Sequence, residues 1–153
     1  MKRPLGIYIH IPFCLIKCKY CDFLSVPANE DTQKKYAEML LEEIKQYKDL
    51  LKERETETIF FGGGTPSILS GEEIAKILEK LREFGNISKT AEISIEANPG
   101  TVTEDKLLHW KKAGVNRISF GLQSANNEEL KKLGRIHTWE AFEENYNLAR
   151  NCG

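Results

Sequence analysis

The chain has 153 residues, of which 41% are hydrophobic and 29% are charged, as is ordinary for one folded domain of mixed structure. Its 22 lysines and arginines balance 23 acidic residues, which leaves a net charge of -1. Because this balance provides no basic field to hold a polyanion, it argues against nucleic-acid binding.

The apolar stretch from Leu5 to Ile16 is interrupted by His10 and Pro12, and it is shorter than the roughly 20 residues that a membrane-spanning helix needs. The N-terminus has neither the apolar core nor the cleavage site of a signal peptide. We therefore expect no transmembrane segment and a cytoplasmic, reducing location. In that compartment, three cysteines within eight residues are more typical of metal binding or redox chemistry than of disulfides.

The first half of the chain predicts two units of strand followed by helix. A strand from Leu5 to Ile11 leads into the loop with the clustered cysteines, and apolar residues then recur at helical spacing from about Asp31 to Lys52. The second strand runs from Thr58 to Phe61, and Gly62 to Pro66 predict a turn outside any regular element. A capping box at Ser70 opens the second helix, which Gly85 closes.

The second half repeats this order. A strand from Ala91 to Glu96 precedes a helix from Thr103 to Gly114, and a strand from Val115 to Leu122 precedes helices near Glu128 to Leu133 and Trp139 to Arg150. Four such units predict an α/β fold with parallel strands and right-handed crossovers, in either a barrel or an open doubly wound sheet.

The end of the sequence interrupts this alternation. Cys152 and Gly153 stand where a helix finishes and a fifth strand is expected, so the fourth strand would keep an unpaired edge. No linker or low-complexity segment divides the chain. We therefore expect one domain that is a fragment of a longer protein, with a tendency to aggregate or swap through the open strand edge.

The cysteine loop has the spacing C-x3-C-x2-C, formed by Cys14, Cys18 and Cys21. Three thiolates suit a [4Fe-4S] cluster in which one iron is left open for a small molecule. Structural zinc would need a fourth ligand, for which His10 and Cys152 are the loose candidates. The spacing favours the cluster but leaves zinc open.

The other candidate residues follow the remaining strands. Gly62 to Pro66 exposes main chain that a ligand can approach closely, although it has neither the phosphate-loop nor the dinucleotide-binding pattern. Glu96 and Gln123 end strands and can hydrogen-bond a ribose, and Arg135 can clamp a carboxylate. Parallel α/β folds place their sites at the carboxyl ends of strands, so these groups together describe a pocket for an amino acid joined to a nucleoside, such as S-adenosylmethionine (SAM).

The segments YIHIPFCLIKCKYCDF, FFGGGTPS, IEANPGT, RISFGLQS and LGRIH resemble the radical SAM superfamily and, within it, the oxygen-independent coproporphyrinogen III oxidase family. The resemblance implies that the three cysteines ligate a [4Fe-4S] cluster and that SAM chelates its fourth iron. It also implies roles at the SAM site for residues that approach the methionine end, the ribose, the carboxylate or the cluster: Gly63, Gly64, Thr65, Glu96, Gln123, Arg135, Tyr8 and Tyr20. His10 matches the motif without receiving a role, and Cys152 matches no ligand of the family.

The resemblance also implies a fold and a biological setting. Residues 1–153 would be the N-terminal part of a radical SAM core domain, about four βα units of an expected six, with the remaining barrel and a C-terminal domain absent. Reduction of SAM by the cluster would yield methionine and a 5′-deoxyadenosyl radical that abstracts hydrogen. The implied partners are porphyrin or haem, which the full-length protein would bind, an electron donor and haem-receiving respiratory proteins.

Two branches of the family remain as alternatives. Coproporphyrinogen oxidases, which convert propionates to vinyls, carry a further cysteine two residues after the third ligand and a sizeable N-terminal extension. This sequence has Phe23 at that position, and its first cysteine is already at residue 14. Both features favour the haem chaperone branch, which need not turn over a substrate. A zinc-binding structural module is the alternative from another class.

Overall fold

The computed structural model describes residues 3–153, so Met1 and Lys2, part of the N-terminus judged above for signal-peptide features, lie outside it. The elements are β1 (Leu5–Ile11), α1 (Glu30–Gln46), α2 (Lys48–Glu53), β2 (Glu55–Gly63), a 3-10 turn (Pro66–Ile68), α3 (Gly71–Phe84), β3 (Asn86–Ala97), α4 (Glu104–Ala113), β4 (Arg117–Phe120), α5 (Asn127–Leu133) and α6 (Trp139–Asn151). In the part that is described, no helix combines the length and apolar character needed to cross a membrane.

The four strands form one parallel sheet in the order β1-β2-β3-β4. A row of apolar residues crosses it, since Ile9 pairs with Phe61, Phe61 with Ile95, and Ile95 with Ile118. Side chains alternate between the faces of a strand, so this register places one apolar set on a single face. That face packs on the helix layer, in which Ile74 and Leu78 of α3 are fully buried.

Helices cover only one face of the sheet. α1 packs on α3, α3 on α4, and α4 on α6, while the other face presents exposed Tyr8 and the ion pair of Glu92 with Arg117, whose N···O distance is 3.0 Å. Strands in sequential order with all crossover helices on one side are the arrangement of a barrel wall. A doubly wound sheet carries helices on both faces, so the barrel is the correct alternative of the two.

Two sequence predictions need correction around the first crossover. The helix predicted over 31–52 is divided at Tyr47, where the backbone leaves helical geometry between α1 and α2. Gly62 and Gly63 were predicted to lie in a turn, but they belong to β2 because they pair with His10 and Ile11 of β1. Pairing between distant strands outweighs the local preference of glycine for turns.

The later elements agree with the predictions more closely. The capping box at Ser70 is present, Thr103 accepts a hydrogen bond from the N–H of Lys106, and Gly114 ends α4 with a φ of 95°. β4 is shorter than predicted, because the N–H groups of Val115 and Leu122 donate within their own loops, to Trp110 and Phe120. β3 is longer and begins at Asn86, which pairs with Glu55 of β2.

Candidate functional site

The candidate site is a cavity of about 260 Å³ where the loops that follow β1, β2, β3 and β4 meet. These loops come together because the carboxyl ends of parallel strands share one edge of the sheet. The cavity is lined by every residue predicted for the site except Tyr8, namely Cys14, Cys18, Tyr20, Cys21, Gly63, Gly64, Thr65, Glu96, Gln123 and Arg135.

The two ends of the cysteine loop are hydrogen-bonded to each other. Phe13 and Val26 form an isolated parallel bridge, in which the N–H of Cys14 donates to the carbonyl of Val26 at 3.2 Å and the N–H of Val26 donates to that of Pro12 at 2.9 Å. Farther along, the N–H of Lys19 donates to the carbonyl of Leu133 at the end of α5. Backbone hydrogen bonds therefore hold the cysteine loop at its two ends and at its middle.

All three cysteines of the loop are free and half-buried. Across residues 3–153, no three cysteine, histidine or acidic side chains converge into a ready-made metal site. Two of the sulfurs instead contact polar groups of other loops: Cys14 Sγ lies 3.3 Å from Thr65 Oγ1, and Cys18 Sγ lies 3.4 Å from Arg135 Nη1, which donates to it. Three free thiols on the wall of one cavity are a donor set that fits a thiolate-bound cluster.

The glycine loop packs directly against the cysteine loop. The N–H of Gly64 donates to the carbonyl of Ile11 at 2.8 Å, and the N–H of Thr65 donates to that of Phe13 at 2.7 Å. A Cβ added to Gly64 would lie 2.6 Å from the Phe13 carbonyl oxygen and 3.0 Å from Cys14 Sγ. Glycine is needed here because any side chain would push the two loops apart.

Replacing Gly64 by alanine is therefore expected to lower the free energy of unfolding by about 1–3 kcal/mol and to reduce iron incorporation. Denaturant unfolding and iron analysis after anaerobic reconstitution measure the two effects. Gly100→Ala is the matched control. Alanine at this φ of 85° is strained and should lower the free energy of unfolding about as much as Gly64→Ala does, but nothing lies within 4 Å of the added Cβ. If both variants incorporate iron equally well, the contact between the loops is not what orders the cysteines.

Asn98, which lies in the segment IEANPGT and received no role from the sequence, joins the loops. Its Nδ2 donates to Thr65 Oγ1 at 2.9 Å, and its Oδ1 accepts from Arg135 Nη2 at 2.6 Å. A continuous series of polar contacts thus runs from Cys14 through Thr65, Asn98 and Arg135 to Cys18. Its position directly after β3, beside the predicted Glu96, was the one available sequence signal.

Arg135 is the most connected side chain of the cavity. In addition to Asn98 and Cys18, its guanidinium donates to the Gly121 carbonyl at 2.6 Å and to the Tyr20 hydroxyl at 3.4 Å, while its buried Nε has no partner in the described part of the chain. Burial raises the pKa of the Tyr20 phenol, although the positive charge of Arg135 acts in the opposite direction. The Arg135 guanidinium therefore gives the cavity a positive charge that hydrogen bonds hold in place.

The remaining predicted residues occupy different parts of the site. Glu96 is half-buried and accepts a hydrogen bond from the backbone of Gly63; burial raises the pKa of its carboxyl, which this bond partly offsets. Among residues 3–153, Gln123 is the one residue other than glycine with a positive φ, 74°. Tyr8 lies outside the cavity on the helix-free face of the sheet, stacked on Phe60, with its hydroxyl 3.1 Å from His10 Nδ1.

Lys106 of α4 connects two of the loops of the site without lining the cavity. Its partly buried ammonium donates to the carbonyls of Ser67 at 2.7 Å and Thr101 at 3.0 Å, and so connects the loops that carry Thr65 and Asn98. Desolvation lowers the pKa of this ammonium group.

We expect Lys106→Met to lower the free energy of unfolding by about 1–3 kcal/mol, because it removes the donor from two carbonyls. Urea unfolding measures this change. Lys112→Met, at an exposed position of the same helix, is the control and should change stability by less than about 0.5 kcal/mol. Equal effects of the two substitutions would exclude this connecting role.

The fold and the site together define an α/β barrel protein whose candidate cofactor site lies at the carboxyl ends of parallel strands. The family model of the radical SAM superfamily matches residues 8–153. The chain belongs to the radical SAM superfamily. That family implies SAM and a [4Fe-4S] cluster as cofactors, in agreement with the resemblance found in the sequence.

Two similar proteins are named for haem or its porphyrin precursor. The chain is 44% identical to the heme chaperone HemW of Escherichia coli (strain K12) over 98% of its length, and 38% identical to the oxygen-independent coproporphyrinogen-III oxidase-like protein HemZ of Bacillus subtilis (strain 168) over its full length. The matched regions are 40% and 32% of those two proteins, so the chain spans less than half the length of either.

A solved structure confirms the fold. The chain superposes on coproporphyrinogen III oxidase (HemN) of Escherichia coli, a radical SAM enzyme, with a TM-score of 0.91 and 33% identity. The superposition covers 99% of this chain and 35% of HemN. The predicted α/β class and the partial radical SAM barrel are therefore correct.

Proposed function

We propose that this chain binds a [4Fe-4S] cluster through Cys14, Cys18 and Cys21 and holds SAM beside it. When bound, these cofactors supply one-electron reductive cleavage of a sulfonium C–S bond. Support comes from three free thiols on one cavity wall, within a chain of the radical SAM superfamily. The same cavity carries the polar groups that a charged nucleoside amino acid requires.

The other residues of the cavity orient SAM. Gly63 and Gly64 leave main chain open to the methionine amino end, beside Thr65, whose hydroxyl already contacts Cys14 and Asn98. Arg135 offers its guanidinium fork to the carboxylate.

Two residues at the ends of neighbouring strands contact the nucleoside part of SAM in this proposal. Glu96 and Gln123 face the ribose, one as a carboxylate acceptor and the other as an amide that both donates and accepts. Tyr20 lies on the cluster side instead, where its hydroxyl accepts a hydrogen bond from Arg135 Nη1 at 3.4 Å. Tyr8 lies near Glu96 on the helix-free face. Desolvation raises the pKa of the Tyr8 phenol, and the nearby Glu96 carboxylate raises it further. Tyr8 therefore lies beside the SAM site and does not line the cavity itself.

We further propose that the protein acts as a haem chaperone that receives electrons from a donor protein and delivers haem to respiratory proteins in the cytoplasm. The observation that carries this proposal is the 44% identity to HemW over 98% of the chain. Phe23 adds to it, because this side chain is 69% exposed on the cavity wall, at the position where oxidases were expected to carry a cysteine.

Coproporphyrinogen III oxidation is the second candidate, favoured by the superposition on HemN. Anaerobic reconstitution of the full-length protein, followed by haem titration and a coproporphyrinogen III conversion assay, separates the two functions. Stable haem binding without vinyl products supports the chaperone. Vinyl products without haem binding support the oxidase, and absence of both activities contradicts both proposals.

The structure gives no support to the zinc alternative. Cys152 lies at the end of α6 against Trp110 and Val115, at the amino ends of the strands and therefore opposite the cysteine loop. His10 uses Nδ1 for its contact with the Tyr8 hydroxyl.

A further inference from the structure

His137, which ends the segment LGRIH, has no role in the site described so far. Its side chain is only 7% exposed, and both of its ring nitrogens have partners. Nε2 lies 3.2 Å from the carbonyl oxygen of Leu122, and Nδ1 lies 3.4 Å from Arg135 Nη2. The imidazole therefore stands between the loop after β4 and the arginine of the cavity.

These two partners define the state of the ring. The Leu122 carbonyl can only accept a hydrogen bond, so Nε2 carries the proton and donates. Nδ1 then turns its lone pair towards the guanidinium, which can only donate. Burial, followed by the positive charge of Arg135, lowers the pKa of His137 and keeps the ring neutral, although its bond to Leu122 partly opposes this.

Each contact reaches a residue that faces the ligand. On one side, Arg135 Nη2 uses its two hydrogens on Asn98 and Gly121, at 2.6 Å each, so the Nδ1 lone pair at 3.4 Å faces this positively charged nitrogen as an electrostatic contact rather than a third hydrogen bond. On the other side, Leu122 precedes Gln123, which holds a φ of 74° that costs a non-glycine residue energy. A fixed Leu122 carbonyl limits how this turn can relax.

We propose that His137 is a positioning residue that couples the carboxylate clamp of Arg135 to the ribose contact of Gln123. The proposal rests on the SAM site proposed above. Its distinctive consequence is that the two ring nitrogens serve different parts of the ligand, so the loss of one contact affects one part of SAM more than the other.

Two substitutions separate the ring nitrogens. Asparagine places its amide near Nδ1 and retains an acceptor for Arg135, whereas glutamine reaches the position of Nε2 and retains a donor for Leu122. The test measures dissociation constants of SAM and of decarboxylated SAM for the reconstituted chain, by equilibrium binding rather than by turnover.

His137→Gln is expected to weaken SAM binding by about two- to fivefold, the value of one weak electrostatic contact, and to leave decarboxylated SAM unaffected. His137→Asn is expected to weaken both ligands by a similar factor, because both contain the ribose. His109→Asn is the matched control: this half-buried histidine lies on α4, outside the cavity, and bonds to its own helix at Asp105, so both ligands should bind as in the wild type.

A merely structural histidine predicts a different pattern. Equal weakening of both ligands by His137→Gln, or wild-type affinities in both His137 variants, would overturn the coupling. Failure of the wild-type chain to bind SAM would instead overturn the proposed function, together with this inference.

Discussion

Replacement of Cys14 by alanine is expected to reduce the iron bound after anaerobic reconstitution from about four atoms per chain to nearly none. Cluster irons are held by thiolates, and the cysteine loop supplies three of them to one cavity. Two remaining thiolates leave two irons without a protein ligand. Metal analysis for iron and zinc, with the visible absorbance of the cluster, measures the outcome.

Cys152→Ala is the matched control for this substitution. Cys152 is also free and half-buried, but it lies at the opposite end of the sheet, so its variant should bind iron as the wild type does. Iron content unchanged by Cys14→Ala would contradict the ligand assignment. Zinc bound in place of iron in the wild-type chain would instead favour the structural module.

Replacement of Arg135 by methionine is expected to weaken SAM binding by about 10- to 100-fold, because a hydrogen bond to a charged group contributes about 1.5–3 kcal/mol. Asn98 and Gly121 hold Nη2 of the guanidinium in place, so the carboxylate has only to replace the long contacts of Nη1 with Cys18 and Tyr20, at 3.4 Å each. Arg135→Lys restores the charge but not the planar fork and should recover only part of the affinity.

Arg117→Met is the control for the loss of an arginine. Arg117 begins β4 and pairs with Glu92 on the helix-free face, outside the cavity, so SAM affinity should be retained. Equilibrium binding of SAM measures both variants, and a thermal unfolding curve shows whether each remains folded. Similar losses of affinity in the two variants would mean that Arg135 makes no specific contact with SAM.

The fold could be predicted because most of its determinants are local. The β1 strand, the capping box at Ser70 and the caps at Thr103 and Gly114 each depend on residues within a few positions of one another. Parallel strands then follow from the order of the units. The error at Gly62 and Gly63 arose because pairing with a distant strand decided their structure, since their extended conformation depends on β1.

The candidate site divides in the same way. Motif residues such as Cys14 and Glu96 could be placed at one edge from the strand order alone. Asn98 and His137 were missed because their partners lie far away in the sequence or belong to the main chain, which carries no side-chain signal: Asn98 contacts Arg135 across 37 positions. Tyr8 was predicted to lie at the SAM site; it shares the helix-free face of the sheet with Glu96 but does not line the cavity, so its role stays a prediction.

The contacts from Cys14 through Thr65, Asn98 and Arg135 to Cys18 begin and end on the same cysteine loop. They therefore form a closed circuit, in which the displacement of one member alters the geometry of all the others. Residues linked in this way do not contribute independent free energies. Paired substitutions at Thr65 and Asn98 should consequently cost less than the sum of the single ones, since the first already opens the circuit.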